Sequence, residues 1–134
     1  MTYAILPKSK DKAGPMARKY DWRTGSNVEA TLSVIGGRWK PVILCNLLVG
    51  RLRFGELCRN MPNATQRMIT LQLRELEADG VIQRHVYAEV PPRVEYELTD
   101  FGRSLAPVLS VMREWGIAFK KRRLSETEDA ASTL

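Results

Sequence analysis

Residues 63–99 read NATQRMITLQLRELEADGVIQRHVYAEVPPRVEYELT, and the hydrophobic period changes once within them. In the first half Ile69, Leu73 and Leu76 recur at the spacing of one helical face. Asn63 followed by Gln66 has the spacing of a capping box, and Asp79–Gly80 supplies a stop. From Val81 to Val90, and again from Val94 to Leu98, β-branched and aromatic residues take over. Val94, Tyr96 and Leu98 alternate with Arg93, Glu95 and Glu97, the pattern of a strand with one wet face. Pro91–Pro92 belongs at the hairpin tip, because proline has no N–H to give to a central ladder.

Upstream, a short helix is expected over Phe54–Asn60, where Pro62 prevents its continuation. Met61–Pro62–Asn63 is then a three-residue turn between two helices, the spacing of a helix-turn-helix. A preceding helix runs from about Arg38 to Leu48, with Pro41 in its first turn and Val42, Ile43, Leu44, Leu47 and Leu48 on an apolar face. The first helix spans Val28–Ile35, capped by Ser26 or Asn27 and ended by Gly36–Gly37. Downstream, Thr99 caps a long helix from Asp100 to about Phe119, which Pro107 should kink. The fold class is mainly α (α+β): a winged helix-turn-helix with a two-stranded β-hairpin wing and a long C-terminal helix, whose dimerisation role is implied only by the family resemblance described below. Its expected extent is 26–119, between a basic arm (1–25) and a polar tail (120–134).

At 134 residues, 44% apolar and 27% charged, the chain has ordinary globular composition and room for one core. No run approaches the roughly 18–20 apolar residues of a membrane span, and the start lacks the order of a secretory signal. Cys45 and Cys58 form no CxxC pair, which suits a reducing cytoplasm. The formal charge is +6, but 26–118 holds eleven basic against ten acidic residues, so most of the excess lies in the arms. Nucleic-acid binding must therefore depend on where individual arginines stand.

With Ile69, Leu73 and Leu76 buried, the fourth helix presents Gln66, Arg67, Thr70, Leu71 and Arg74 outward. Arg67 or Arg74 suits bidentate contact with a guanine, and Gln66 contact with an adenine. Thr65 and the free N–H groups of the helix start suit a phosphate. The plainer alternative is a solvated polar face. Arg93, beside the Pro–Pro corner, suits a narrow minor groove or is simply an exposed wing residue. Arg53 suits a phosphate or a local glutamate. Glu75, Glu77 and Asp79 fall on different sides of the helix and read as surface charge. His85 and two separated cysteines make no zinc pattern, and no phosphate loop or nucleophile elbow occurs, so neither enzyme activity nor a cofactor is implied.

The segments IGGRWKPVIL (35–44), RFGEL (53–57), LQLRELEADGVI (71–82), VPPRVEYELT (90–99) and FGRSLAPVLSVMREWG (101–116) resemble the HxlR family of bacterial winged-helix regulators. The likeness covers about 26–117. It implies a transcriptional regulator that binds double-stranded DNA as a homodimer built from the first and last helices, with recognition helices in successive major grooves. The residues permit such a dimer. Leu105, Val108, Leu109, Met112 and Trp115 on the last helix, with Val28 and Leu32 on the first, offer more apolar surface than one small core absorbs. The alternative is that the last helix only closes the core. Dimer symmetry implies a palindromic operator.

Many members of the family carry a cysteine just before the first helix, whereas Ser26 stands here and forms no thiolate. Cys45 reads as structural. Cys58 precedes Arg59, whose charge would lower the thiol pKa and permit a redox role. A small-molecule effector is a further open partner. The rival function is a winged-helix protein-interaction module, which exposed Leu71 favours and the arginines oppose.

Overall fold

In the computed structural model, which describes residues 21–132, the chain begins with helix α1 (Asn27–Ile35). Ser26 caps it: its hydroxyl accepts from the Glu29 N–H (3.0 Å), and the Glu29 carboxylate accepts from the Ser26 N–H (3.1 Å). Helix α2 (Lys40–Leu48) has Pro41 in its first turn and buries Ile43, Leu44 and Leu47. Val42 and Leu48, expected on the same apolar face, lie at the surface. The basic arm lies almost wholly outside the described residues.

Strand β1 (Leu52–Arg53) was not expected. Two residues have no alternation to read, and they become a strand only by pairing with the wing. Helix α3 (Phe54–Asn60) follows, with the Arg53 N–H held by the Glu56 carboxylate at 2.8 Å. Helix α4 (Gln66–Ala78) buries Ile69, Leu73 and Leu76, the expected stripe. Its cap is Thr65, whose hydroxyl accepts from the Met68 N–H (3.1 Å). The expected Asn63–Gln66 capping box gives way to it. Gly80, at φ +78°, turns the chain out of α4 in a conformation that only glycine adopts freely.

Strands β2 (Ile82–Tyr87) and β3 (Arg93–Leu98) form the wing, antiparallel, with Ile82 opposite Leu98 and Tyr87 opposite Arg93. β1 adds to the free edge of β3, so the sheet has three strands in the order β1-β3-β2. The core joins the apolar faces of α2, α3 and α4 to Ile82, Tyr96 and Leu98 of the sheet. One charge enters it: Lys40 is 6% exposed and pairs with Glu75 of α4. Glu75 is therefore not simple surface charge, because removing it would strand a buried ammonium.

The single kinked helix expected from Asp100 is two helices, α5 (Asp100–Arg103) and α6 (Ala106–Ser132). Thr99 caps α5, and Gly102 presses so closely on the residue before β2 that a side chain there would strike the Val81 carbonyl. Pro107 has no N–H for the carbonyl of Arg103, so the chain turns at Ser104–Leu105 and restarts with Pro107 in the first turn of α6. Residues 120–132, expected as a tail, continue this helix and are exposed throughout.

Candidate nucleic-acid interface

The turn between α3 and α4 is anchored by Met61, which is buried, and closed by the Ala64 N–H on the Met61 carbonyl. It sets α4 against α2 and the sheet and turns the opposite face outward. Gln66, Arg67, Leu71 and Arg74 all lie on that face and are exposed. Among the described residues neither Arg67 nor Arg74 is held by an acid. Thr65 is exposed but its hydroxyl already accepts from the helix, which leaves its O–H free to donate. Thr70 is half-buried and turns toward the wing.

The wing arginines are bound differently. Arg93 bonds Glu89 at 3.1 Å and Glu95 at 3.2 Å, and its guanidinium lies 4.0 Å over the ring of Tyr87. It is a clasp across the tip end of the hairpin and not the free charge expected from the sequence. The acids on either side of it in EVPPRVE were the signal. Arg53 is largely exposed and reaches Glu95 only at 4.0 Å.

Glu95 and Glu97 share the outer face of β3 and gather most of the sheet's cations. Arg51 bonds Glu97 at 2.8 Å, Glu95 at 3.4 Å and the Tyr87 hydroxyl at 2.7 Å. His85 meets Glu97 at 2.6 Å, and Gln83 donates to it at 3.1 Å. Burial alone would raise the Glu97 pKa, but the His85 bond and the Arg51 charge outweigh it and hold this carboxyl below its ordinary value. The network ties the loop before β1 to both wing strands.

Between α4, the start of α3 and the inner face of the wing lies a groove of about 550 Å³. Arg53, Arg84 and Arg93 line it with Thr70, above an apolar floor that includes Phe54 and Tyr96. Arg84 is the residue that sequence reasoning missed. It stands on β2 between Ile82 and Val86 in the row that faces the core, directly across from Tyr96. An arginine in an apolar row was the available signal.

The first and last helices differ from the outer face of α4. Val28, Leu32, Val108, Met112 and Trp115 are all exposed, and Trp115 stacks on Phe119 with ring centres 5.6 Å apart. Leu109, by contrast, is 1% exposed and packs in the core, and Leu105 is partly buried against it. Leu109 is thus corrected from interface to core, since it is the residue through which α6 closes the single chain. Both described thiols are free, and burial raises their pKa values. Arg113 partly offsets this at Cys45, whereas the expected lowering at Cys58 is reversed. No helix among the described residues is long and apolar enough to cross a membrane.

Comparison with known proteins agrees with this architecture. The HxlR-like helix-turn-helix family matches residues 34–124. YtcD of Bacillus subtilis (strain 168), an uncharacterised HTH-type transcriptional regulator, is 58% identical over 101 residues, covering 75% of this chain and 80% of its own. YdeP of the same organism, described in the same words, is 56% identical over 98 residues, 73% of this chain and 77% of its own. Among solved structures, the redox regulator HypR in its reduced form superposes with a TM-score of 0.70 at 53% identity, over 75% of this chain and 99% of that one. The chain belongs to the HxlR-like helix-turn-helix family and is a transcriptional regulator of the winged-helix type, not an enzyme.

Proposed function

We propose that this regulator binds double-stranded DNA sequence-specifically in the cytoplasm, as a homodimer on a palindromic operator. The observation that carries the reading is the outer face of α4. Its buried stripe fixes the helix in the core, while Gln66, Arg67 and Arg74 stand exposed on the other side. Arginine forks suit guanine edges, glutamine suits adenine, and the Thr65 cap end suits a phosphate. Homodimer formation is supported by the exposed apolar residues of α1 and α6, with Val28, Leu32, Val108, Met112 and Trp115 at its centre and Leu105 at its margin. The redox property of HypR is not carried over to this chain: Ser26 is a helix cap, and burial raises the pKa of the Cys45 and Cys58 thiols.

Fluorescence anisotropy tests the reading, with a duplex from the region upstream of the protein's own gene, a shuffled duplex of equal length, and Arg67→Ala in parallel. Selective binding that Arg67→Ala weakens by about 1–3 kcal/mol, with relaxed preference at one position, is the expected result. A second reading, protein interaction through the same face, is favoured by Leu71, which is 46% exposed at its middle. Salt separates the two, because DNA affinity falls steeply with ionic strength and an apolar contact does not.

A further inference from the structure

We propose that the groove between α4 and the wing seats the phosphate backbone of one DNA strand, with Arg84 and Arg53 as its phosphate ligands. The assignment deepens the DNA-binding reading above and rests on it.

Its basis is placement. Thr70 lines the groove and stands three residues from Arg67 and four from Gln66, so it is their neighbour on the surface of α4. A strand whose bases meet Gln66 and Arg67 therefore runs its backbone past Thr70 and into the groove. On the far wall Arg84 projects from the inner row of β2, and Arg53 comes in from the junction of β1 and α3. The third arginine of the lining, Arg93, is taken by Glu89, Glu95 and Tyr87. Its pairing also neutralises Glu89, the acid in the lining, which would otherwise repel a phosphate. Arg53 is held only loosely, at 4.0 Å from Glu95. Arg84 acts on Glu77 of α4 through its charge, and a guanidinium with five donors can serve a phosphate from the same position. The apolar floor, Phe54 and Tyr96, suits the sugar faces between phosphates.

Backbone contacts carry no sequence information, so these two arginines should set affinity and salt dependence without setting preference. The test uses the full chain and two probes, the upstream duplex and its shuffled counterpart, titrated over a series of salt concentrations. Arg84→Gln and Arg53→Gln are each expected to weaken binding to both duplexes by the same factor. Each should also reduce the magnitude of the log–log salt slope by about 0.9, the loss of one phosphate contact. The double variant Arg84→Gln with Glu77→Gln separates phosphate binding from charge balance inside the protein. Slope and affinity stay low if Arg84 holds phosphate, and they recover if it only neutralises Glu77, which overturns its assignment. A melting curve checks that Arg84→Gln is folded, and Arg53→Gln, whose side chain is largely exposed, carries the same test if it is not. Wild-type slopes in the folded variants, with selective DNA binding intact, overturn the groove and leave the function standing. Failure of the wild-type chain to bind either duplex removes both.

Discussion

Helices α4 and α6 carry comparable apolar residues and use them in opposite ways. In α4, Ile69, Leu73 and Leu76 form one stripe, all of it buried, and the remaining surface is polar apart from Met68 and Leu71. In α6 only Leu109 is buried, while Val108, Val111, Met112, Trp115, Ile117 and Phe119 spread around the helix into solvent. A helix that is apolar on several sides is stable only when several sides are covered. The contrast teaches that α4 is complete within one chain, whereas α6, in the homodimer proposed above, is completed by a second. On that proposal α4 is already packed before assembly, and assembly sets the distance between two copies of it.

The sharpest way to break this contrast is to cut α6 at its two kinds of residue. Leu109→Ala should lower the unfolding free energy by about 2–5 kcal/mol, read from a denaturant midpoint, because it opens a cavity in the core. Trp115→Asp should keep the helical circular dichroism but weaken association by about 2–4 kcal/mol, the usual cost of losing a central aromatic anchor. Sedimentation equilibrium should then show a dimer for the parent chain and a monomer for Trp115→Asp. If Trp115→Asp unfolds the chain while Leu109→Ala separates the dimer, the two roles are exchanged and the contrast fails.

The same contrast explains what could be read from the sequence. The period of α4 and the alternation of β3 are complete within a few residues, because burial inside one chain imposes a single face on each. The stripe and the hairpin were legible for that reason, whereas the α3–α4 turn, expected as the three residues 61–63, takes the five residues 61–65 because Thr65 and not Asn63 caps α4. The division of α5 from α6 was not legible. It follows from Pro107, but a proline by itself signals a kink within one helix as well as a break between two. The helical extension past Lys120 was missed because polarity reports exposure rather than conformation. Arg122 and Glu126 pair at 3.1 Å one turn apart, and such residues are good helix formers. At the candidate site, the exposure of Gln66, Arg67 and Arg74 was legible, and the pairing and orientation of the wing arginines were not. Whether Arg93 is free and Arg84 faces inward is decided by strand register, which places Tyr87 opposite Arg93 and Tyr96 opposite Arg84.

A smaller effect probes how firmly α4 is set before it meets DNA. Thr65→Ala should cost about 1 kcal/mol of stability, through loss of the bond to the Met68 N–H, and should weaken DNA binding as the start of the helix frays. Asn63→Ala should change stability by a few tenths of a kcal/mol at most, since Asn63 is exposed and the cap lies two residues on. Equal losses at the two positions, measured by thermal melts, would mean that the start of α4 is not fixed where Thr65 places it.

The smallest effect concerns the wing, which by this argument sides with α4 because its charges are satisfied inside one chain. Glu97 is the test. Its carboxyl is held below the ordinary value by His85 and Arg51, so it binds fewer protons folded than unfolded at mildly acidic pH. Its contribution is therefore fully present above the ordinary carboxylate range, and it is lost as pH falls through that range to the depressed value. Glu97→Gln should flatten the acid side of a stability-against-pH curve and leave the neutral side nearly parallel to that of the parent chain. The difference between the two curves should also be the same at every protein concentration, because His85, Gln83 and Arg51 belong to the same chain as Glu97. A difference that grows on dilution would place this network at the contact between copies, and the wing would then belong with α6 among the parts that assembly completes.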